Sequence, residues 1–158
     1  LPLADIATPN LFELELLTSE EPGRLAHGDV GDLVTAARAL LEIMRPDACC
    51  LVTSAVHRDV HPQQVAVMAI DQRAAWYVET PVVHFSREPH GAGDLISALF
   101  AAAMADHGDM MRALEESVAI IFAVLSETRR RERAELDLVA SGELIVAPPQ
   151  QFAAQMVV

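Results

Sequence analysis

Aromatic side chains are scarce in this chain: Phe, Trp and Tyr make up 4% of its 158 residues. Leu, Val, Ile and Ala must therefore fill any core, and a hydrophobic fraction of 52% is enough for one domain spanning 1–158. No apolar run reaches the ~18–20 uninterrupted residues of a membrane-spanning helix. The longest, Leu95 to Ala105, is far too short, so no membrane partner is expected. The opening Leu1-Pro2-Leu3-Ala4-Asp5 lacks the basic and long apolar regions of a secretory signal. It also lacks a starting Met, so the chain is expected to begin mid-protein. Basic residues are few: 11 against 23 acidic ones, for a net charge of -12. A polyanion would be repelled, which argues against a nucleic-acid partner. A small phosphorylated ligand stays admissible, because backbone N–H groups and a metal ion can hold phosphate without basic side chains. Cysteine is limited to the neighbours Cys49 and Cys50. On a strand they point to opposite faces and cannot pair, which fits a reducing, cytoplasmic compartment.

What is present reads as strand and helix in alternation, then a hairpin, then helices. Ala4 to Ala7 is a short buried strand end stopped by Thr8-Pro9-Asn10. Phe12 to Leu17 places Phe12 with Leu16, and Leu14 with Leu17, at helical spacings. Glu20 to Gly28 reads as a loop. Asp29 is placed to cap a helix, with Asp32 in its first turn and Leu33, Ala36, Ala37, Leu40, Leu41 and Met44 on one face. Pro46 marks its end. Ala48 to Ser54 is a second buried strand. Val65 to Ile70 and Arg73 to Val78 flank Asp71-Gln72 as a tight hairpin. A helix then opens at Gly91-Ala92-Gly93-Asp94 and runs to about His107. Gly108-Asp109 breaks and recaps it, and Met110 to Arg129 forms a long helix with a stripe at Met111, Leu114, Val118, Ile121, Val124 and Leu125. This order argues for an α/β fold with part of its sheet missing.

Three motifs carry possible chemistry. In Gly91-Ala92-Gly93-Asp94 two glycines precede an acid where a helix begins. Glycine allows close backbone approach, and a helix N-terminus offers free N–H groups to phosphate. Asp94 could accept the proton of an attacking hydroxyl there; the rival reading is a glycine loop with Asp94 as helix cap. A Rossmann fingerprint fails at Ile96, and a P-loop fails for want of Gly-Lys-Ser/Thr. Asn10 and Glu13, three apart, can share a helical face and order water around a phosphate-held Mg²⁺; helix capping is the rival. Thr53-Ser54 ends a buried strand, where α/β folds bind ligands; ordinary turn residues are the rival.

The three motifs stand in the order and spacing of the ribokinase-like superfamily, whose marks are Asn-x-x-Glu and Gly-x-Gly-Asp. Leu3 to Glu15, Leu51 to Ser54 and Gly91 to Phe100 carry this likeness. Within it the chain most resembles the pyridoxal kinase family, through Ala4 to Glu15 and through Glu135 to Ala140 followed by Pro148 and Phe152. The match spans nearly all of this chain but only the C-terminal part of the family's length; the N-terminal half, which supplies most pyridoxal contacts, has no counterpart here.

The resemblance implies the C-terminal portion of a three-layer α/β sandwich, with a mixed sheet, a late β-hairpin and C-terminal helices. It implies ATP-dependent phosphorylation of the 5′-hydroxyl of pyridoxal, with ATP and Mg²⁺ as cofactors. Asp94 would be the base that meets the substrate, and Gly91, Ala92 and Gly93 would form the anion hole. Glu13 and Asn10 would organise Mg²⁺ through water. Thr8, Asn10, Glu13, Thr53, Ser54, Thr80, Pro81, Val82 and Val83 would lie along ATP. Some family members carry Lys in place of Thr53 and Arg in place of Thr80, so this chain has less positive charge along the nucleotide. Members are typically dimers, which implies a homodimer.

The resemblance leaves two other readings: another superfamily kinase, such as a hydroxymethylpyrimidine kinase, and a non-catalytic remnant. The stretch from Val82 to Pro89 and the tail favour pyridoxal. His57 and His61 are expected in a loop and not in a metal site, and Arg129 to Arg133 as a solvated helix end.

Overall fold

The computed structural model describes residues 1–87 and 89–157, so Glu88, within the stretch from Val82 to Pro89, lies outside the described residues. The elements run in the order β1 (Ile6–Ala7), α1 (Leu11–Thr18), α2 (Arg24–His27), α3 (Val30–Leu41), β2 (Cys49–Ala55), β3 (Gln64–Ile70) and β4 (Ala75–Pro81). They continue with α4 (Ala92–His107), α5 (Met110–Arg130), α6 (Gly142–Val146) and β5 (Gln155–Met156). Two compact units result. Leu1–Glu79 and the C-terminal segment from Ala154 form one; Thr80–Ala153 form the other.

The first unit is built on a mixed sheet of order β1-β2-β3-β4-β5. β1 and β2 are parallel, with Ile6 opposite Cys49. β2 and β3 are antiparallel, with Cys50 opposite Ile70 and Val52 opposite Met68. α3 starts where expected: Asp29 accepts from the Asp32 amide at 3.1 Å, and the Asp32 carboxylate accepts from the Asp29 amide at 3.0 Å. Such a reciprocal cap satisfies two otherwise orphaned donors. The expected face of α3 is buried, in one cluster with Leu14, Leu25, Cys50, Val52, Met68 and Ile70.

Four expectations need correction. The hairpin loop is longer than Asp71-Gln72. The Asp71 carboxylate accepts from the amides of Arg73 and Ala74 at 2.7 and 2.6 Å, and the Asp71 amide bonds the Ala74 carbonyl. An aspartate that satisfies both amides holds residues 71–74 in the turn, so β4 starts at Ala75. α1 buries Leu14 and Glu15, while Phe12 and Leu16 are 64% and 69% exposed. Helical spacing alone misjudged that face, because a charged residue turns inward. Glu20 to Gly28 contains the short α2. Met44 is buried but lies in the turn after α3 ends at Leu41. The tail adds β5, with Trp76 opposite Met156 and Tyr77 opposite Gln155; two residues are too few to show a period.

In the second unit α4 packs on α5, and α5 on α6. Gly108 ends α4 in the left-handed region at φ 67°, where glycine carries no Cβ penalty. Asp109 recaps by accepting from the Arg112 amide at 3.1 Å. The α5 stripe buries Leu114, Val118, Ile121 and Val124, while Met111 and Leu125 are only half-buried. The ring of Phe122 meets Phe152 edge to face at 5.0 Å. Among the described residues no helix is long and apolar enough to cross a membrane.

Cys49 and Cys50 are both buried and unpaired. Burial pushes their pKa values up to about 11 and about 12, with the Asp71 charge adding to the first and Cys49 to the second. The thiolate is the reactive form. Both thiols should therefore resist iodoacetamide at pH 7.5 in the folded chain and react fully in urea, as counted by mass spectrometry.

Candidate functional site

In the first unit the expected residues gather where β1 and β2 end. A parallel bridge joins Asn10 to Thr53, and the Thr53 amide donates to the Pro9 carbonyl at 3.0 Å. Thr8 lies between β1 and this bridge. The carboxyl ends of parallel strands are where α/β folds offer a crevice to ligands. Ser54 follows in the left-handed region at φ 51°, within a register shift between Val52 and Ala55. An extra residue of this kind re-aims side chains at a strand end. Ser54 is exposed and Thr53 half-buried.

Asn10 and Glu13 do form the capping pair. The Asn10 side-chain oxygen accepts from the Glu13 amide at 2.9 Å, and Glu13 Oε2 accepts from the Asn10 amide at 2.8 Å. The capping interaction fixes both side chains but does not exhaust them. Glu13 Oε1 and the Asn10 side-chain nitrogen make no hydrogen bond among the described residues. Among the same residues no three His, Cys, Asp or Glu side chains cluster as a metal site. A cation there would be held through water and by its ligand's phosphates, the common habit of Mg²⁺.

In the second unit the helix α4 begins without a side-chain cap. Gly91 is its N-cap, at φ 92° and ψ 1°, and only its carbonyl is engaged, by the Leu95 amide at 2.9 Å. That φ explains the first glycine, since a side chain there would be strained. The second, Gly93, would have nothing within 4 Å of an added Cβ, so it keeps the approach to the helix end open. Asp94 is therefore not the cap. It sits in the first turn, exposed, with no hydrogen-bond or ion-pair partner among the described residues. Among the described residues the amides of Ala92, Gly93 and Asp94 meet no side-chain acceptor at this end, which leaves a helix N-terminus with its donors available.

Thr80 is buried, Pro81 ends β4, and Val82 and Val83 continue half-buried beyond it. Sequence reasoning missed the supports of the glycine loop. His90 bridges to Glu135, and Leu136 lies 3.8 Å from where a Gly91 Cβ would stand. Ser97 donates to the Gly93 carbonyl at 2.7 Å, fastening the first turn from one turn above. A Ser three residues after an acidic N3 position was the one signal that could have pointed to it.

His57 is buried in the loop after β2. Its Nδ1 accepts from the Asp59 amide at 3.3 Å, and its Nε2 has no partner among the described residues. Desolvation lowers its pKa below the usual 6.5, against the opposing charges of Asp59, Glu79 and Asp29. A lowered folded pKa contributes stability above the unfolded value and loses it as pH falls through the folded one. Urea stability of the wild-type chain should drop between pH 7.5 and pH 5, and His57→Gln should flatten that drop.

A family model for phosphomethylpyrimidine kinase matches residues 1–135. The chain belongs to the phosphomethylpyrimidine kinase family. Within reach of this family, pyridoxal kinase PdxY of Deinococcus radiodurans is 35% identical over 159 aligned positions, covering 99% of this chain and 52% of that protein. The chain thus spans about half the length of the curated relatives it matches. Pyridoxal kinase of Leishmania donovani, solved with ADP and pyridoxine, superposes with a TM-score of 0.79 at 18% identity, covering 98% of this chain and 52% of that one. Pyridoxal kinase of Entamoeba histolytica gives 0.77 at 20%, covering 98% and 51%. These two likenesses are of fold. They bear out the ribokinase-like α/β class with its mixed sheet, late hairpin and C-terminal helices.

Proposed function

We propose that this family member is the nucleotide-binding part of a pyridoxal kinase, which moves the γ-phosphoryl group of ATP to the 5′-hydroxyl of pyridoxal. The observation that carries the reading is the uncapped start of α4, with a left-handed Gly91 and a partnerless, exposed Asp94. Phosphoryl transfer depends on positioning and charge neutralisation more than on covalent chemistry by the protein. The amides of Ala92 and Gly93 would meet the equatorial oxygens of the transferring group. Asp94 would take the hydroxyl proton as the oxygen attacks phosphorus and the bond to the bridging oxygen of ADP breaks. Asn10 and Glu13 would hold Mg²⁺ through water, and the ion would supply positive charge to the phosphates beside the Glu13 carboxylate. Thr8, Thr53, Ser54 and the Thr80 to Val83 segment would line ATP.

The pyridoxal kinase relative of D. radiodurans and the ADP complex of the L. donovani enzyme support pyridoxal and ATP. The name of the matching family points to a pyrimidine substrate, the second reading. Competition separates them. With ATP, Mg²⁺ and equal pyridoxal and hydroxymethylpyrimidine, the chain should form pyridoxal 5′-phosphate in excess. Preferential pyrimidine phosphorylation would transfer the reading to the second substrate. No product from either, with nucleotide still bound, would leave a binding remnant.

A further inference from the structure

A cavity in the Thr80–Ala153 unit has the make-up of an anion site. It encloses about 430 Å³ between Phe85, Ser86, Arg87, Arg129, Glu132 and Arg133. In a chain of net charge -12, three of only 11 basic residues meet there. The neighbouring arginines are otherwise employed: Arg130 and Arg131 both bond the Glu127 carboxylate and hold its pKa down to about 2. The cavity arginines are freer. Arg129 spends its Nε on the His84 carbonyl at 2.6 Å, which fixes the guanidinium and leaves its terminal nitrogens. Arg87 has no ion pair among the described residues. Arg133 leans on Asp137, with Nε 3.6 Å from Oδ2.

Three features oppose an anion: Glu132 in the wall, Asp137 beside Arg133, and the negative end of the α5 dipole. Among the described residues, three guanidiniums stand against the two carboxylates of Glu132 and Asp137. The backbone also brings Arg129 and Arg133 together. Glu132 takes φ 52°, and the Arg133 amide returns to the Thr128 carbonyl at 3.1 Å, turning the chain back past the helix end. Guanidinium forks suit the oxygens of phosphate, Ser86 adds a hydroxyl, and the half-buried Phe85 offers an apolar wall.

We infer that this cavity binds the phosphate group of a small molecule, at a site separate from the start of α4. It does not rest on the kinase reading, because neither Asp94 nor the glycine loop lines it.

The test uses the intact 158-residue chain, inorganic phosphate and phenyl phosphate, followed by amide chemical shifts and calorimetry. Both probes should shift the amides of Ser86, Arg87 and Arg133. The double variant R87Q/R133Q should weaken binding at least tenfold. Tighter binding of phenyl phosphate by severalfold would identify a ring-bearing ester as the ligand class, and equal binding free phosphate. Shifts confined to Ala92, Gly93 and Asp94, or unaltered affinity in the double variant, would overturn the inference. The wild-type shifts decide the matter even if the double variant does not fold.

Discussion

Replacing Glu15 by Ala should cost the first unit about 3 kcal/mol, the largest stability loss expected of any single charged residue among the described residues. Glu15 is 4% exposed. Its two oxygens accept from the amides of Gly23 and Leu25, each at 2.8 Å. Neither donor belongs to a finished helix turn: Gly23 is the left-handed N-cap of α2, and Leu25 lies in its first turn. One carboxylate therefore satisfies both donors at an end that has no side-chain cap of its own. Bonds to an ionised acceptor contribute about 1.5–3 kcal/mol each, and truncation leaves both donors without a partner. Leu25, fully buried against Leu14 and Leu33 in the core cluster, would lose its anchor as well. Glu15→Gln keeps one acceptor and should cost about half as much. Thermal melts would show this as a fall of about 6–12 °C for Ala. A fall of 1 °C or less would mean that the loop closes without Glu15.

Glu15 also marks the limit of what the sequence could reveal. Helical spacing gave α1 its place, but periodicity weighs apolar residues and treats a glutamate as solvent-facing. Glu15 serves donors eight and ten residues away, and no local pattern encodes that partnership. The same distance rule separates the other successes from the failures. Asp29 with Asp32 and Asp109 before α5 act within one turn, and both were readable. Cys49-Cys50 was readable because alternation on a strand is local. The start of α4 was half readable. Two glycines and an acid announced it, but the choice between capping and an open end needed the φ of Gly91. Asn10 and Glu13 had two rival readings, and the capping bonds formed while leaving one oxygen of Glu13 uncommitted.

Asp94→Asn should lower phosphoryl transfer by a factor of about 10²–10⁴, the usual contribution of a positioned general base. The fold should not notice the change. Asp94 is exposed, bonds nothing among the described residues, and is not the helix cap. The melting temperature should therefore stay within about 2 °C, since surface substitutions away from such bonds change stability by about 0.5 kcal/mol or less. Nucleotide affinity should also hold, because the amides of Ala92 and Gly93 survive the substitution. Loss of rate with retained binding is the pattern of an interaction made only in the transition state. A parallel loss of nucleotide binding would instead make Asp94 a binding residue.

On the proposed reading, Gly91 to Asp94 handle a transferring phosphate. Phosphorus NMR of the 158-residue chain with ATP, Mg²⁺ and pyridoxal, beside Asp94→Asn, tests it most directly. The wild-type chain should form a phosphate ester on the 5′-oxygen of pyridoxal, and that signal should be lost with Asn at 94. Equal signals from the two chains, or free phosphate alone from both, would contradict it.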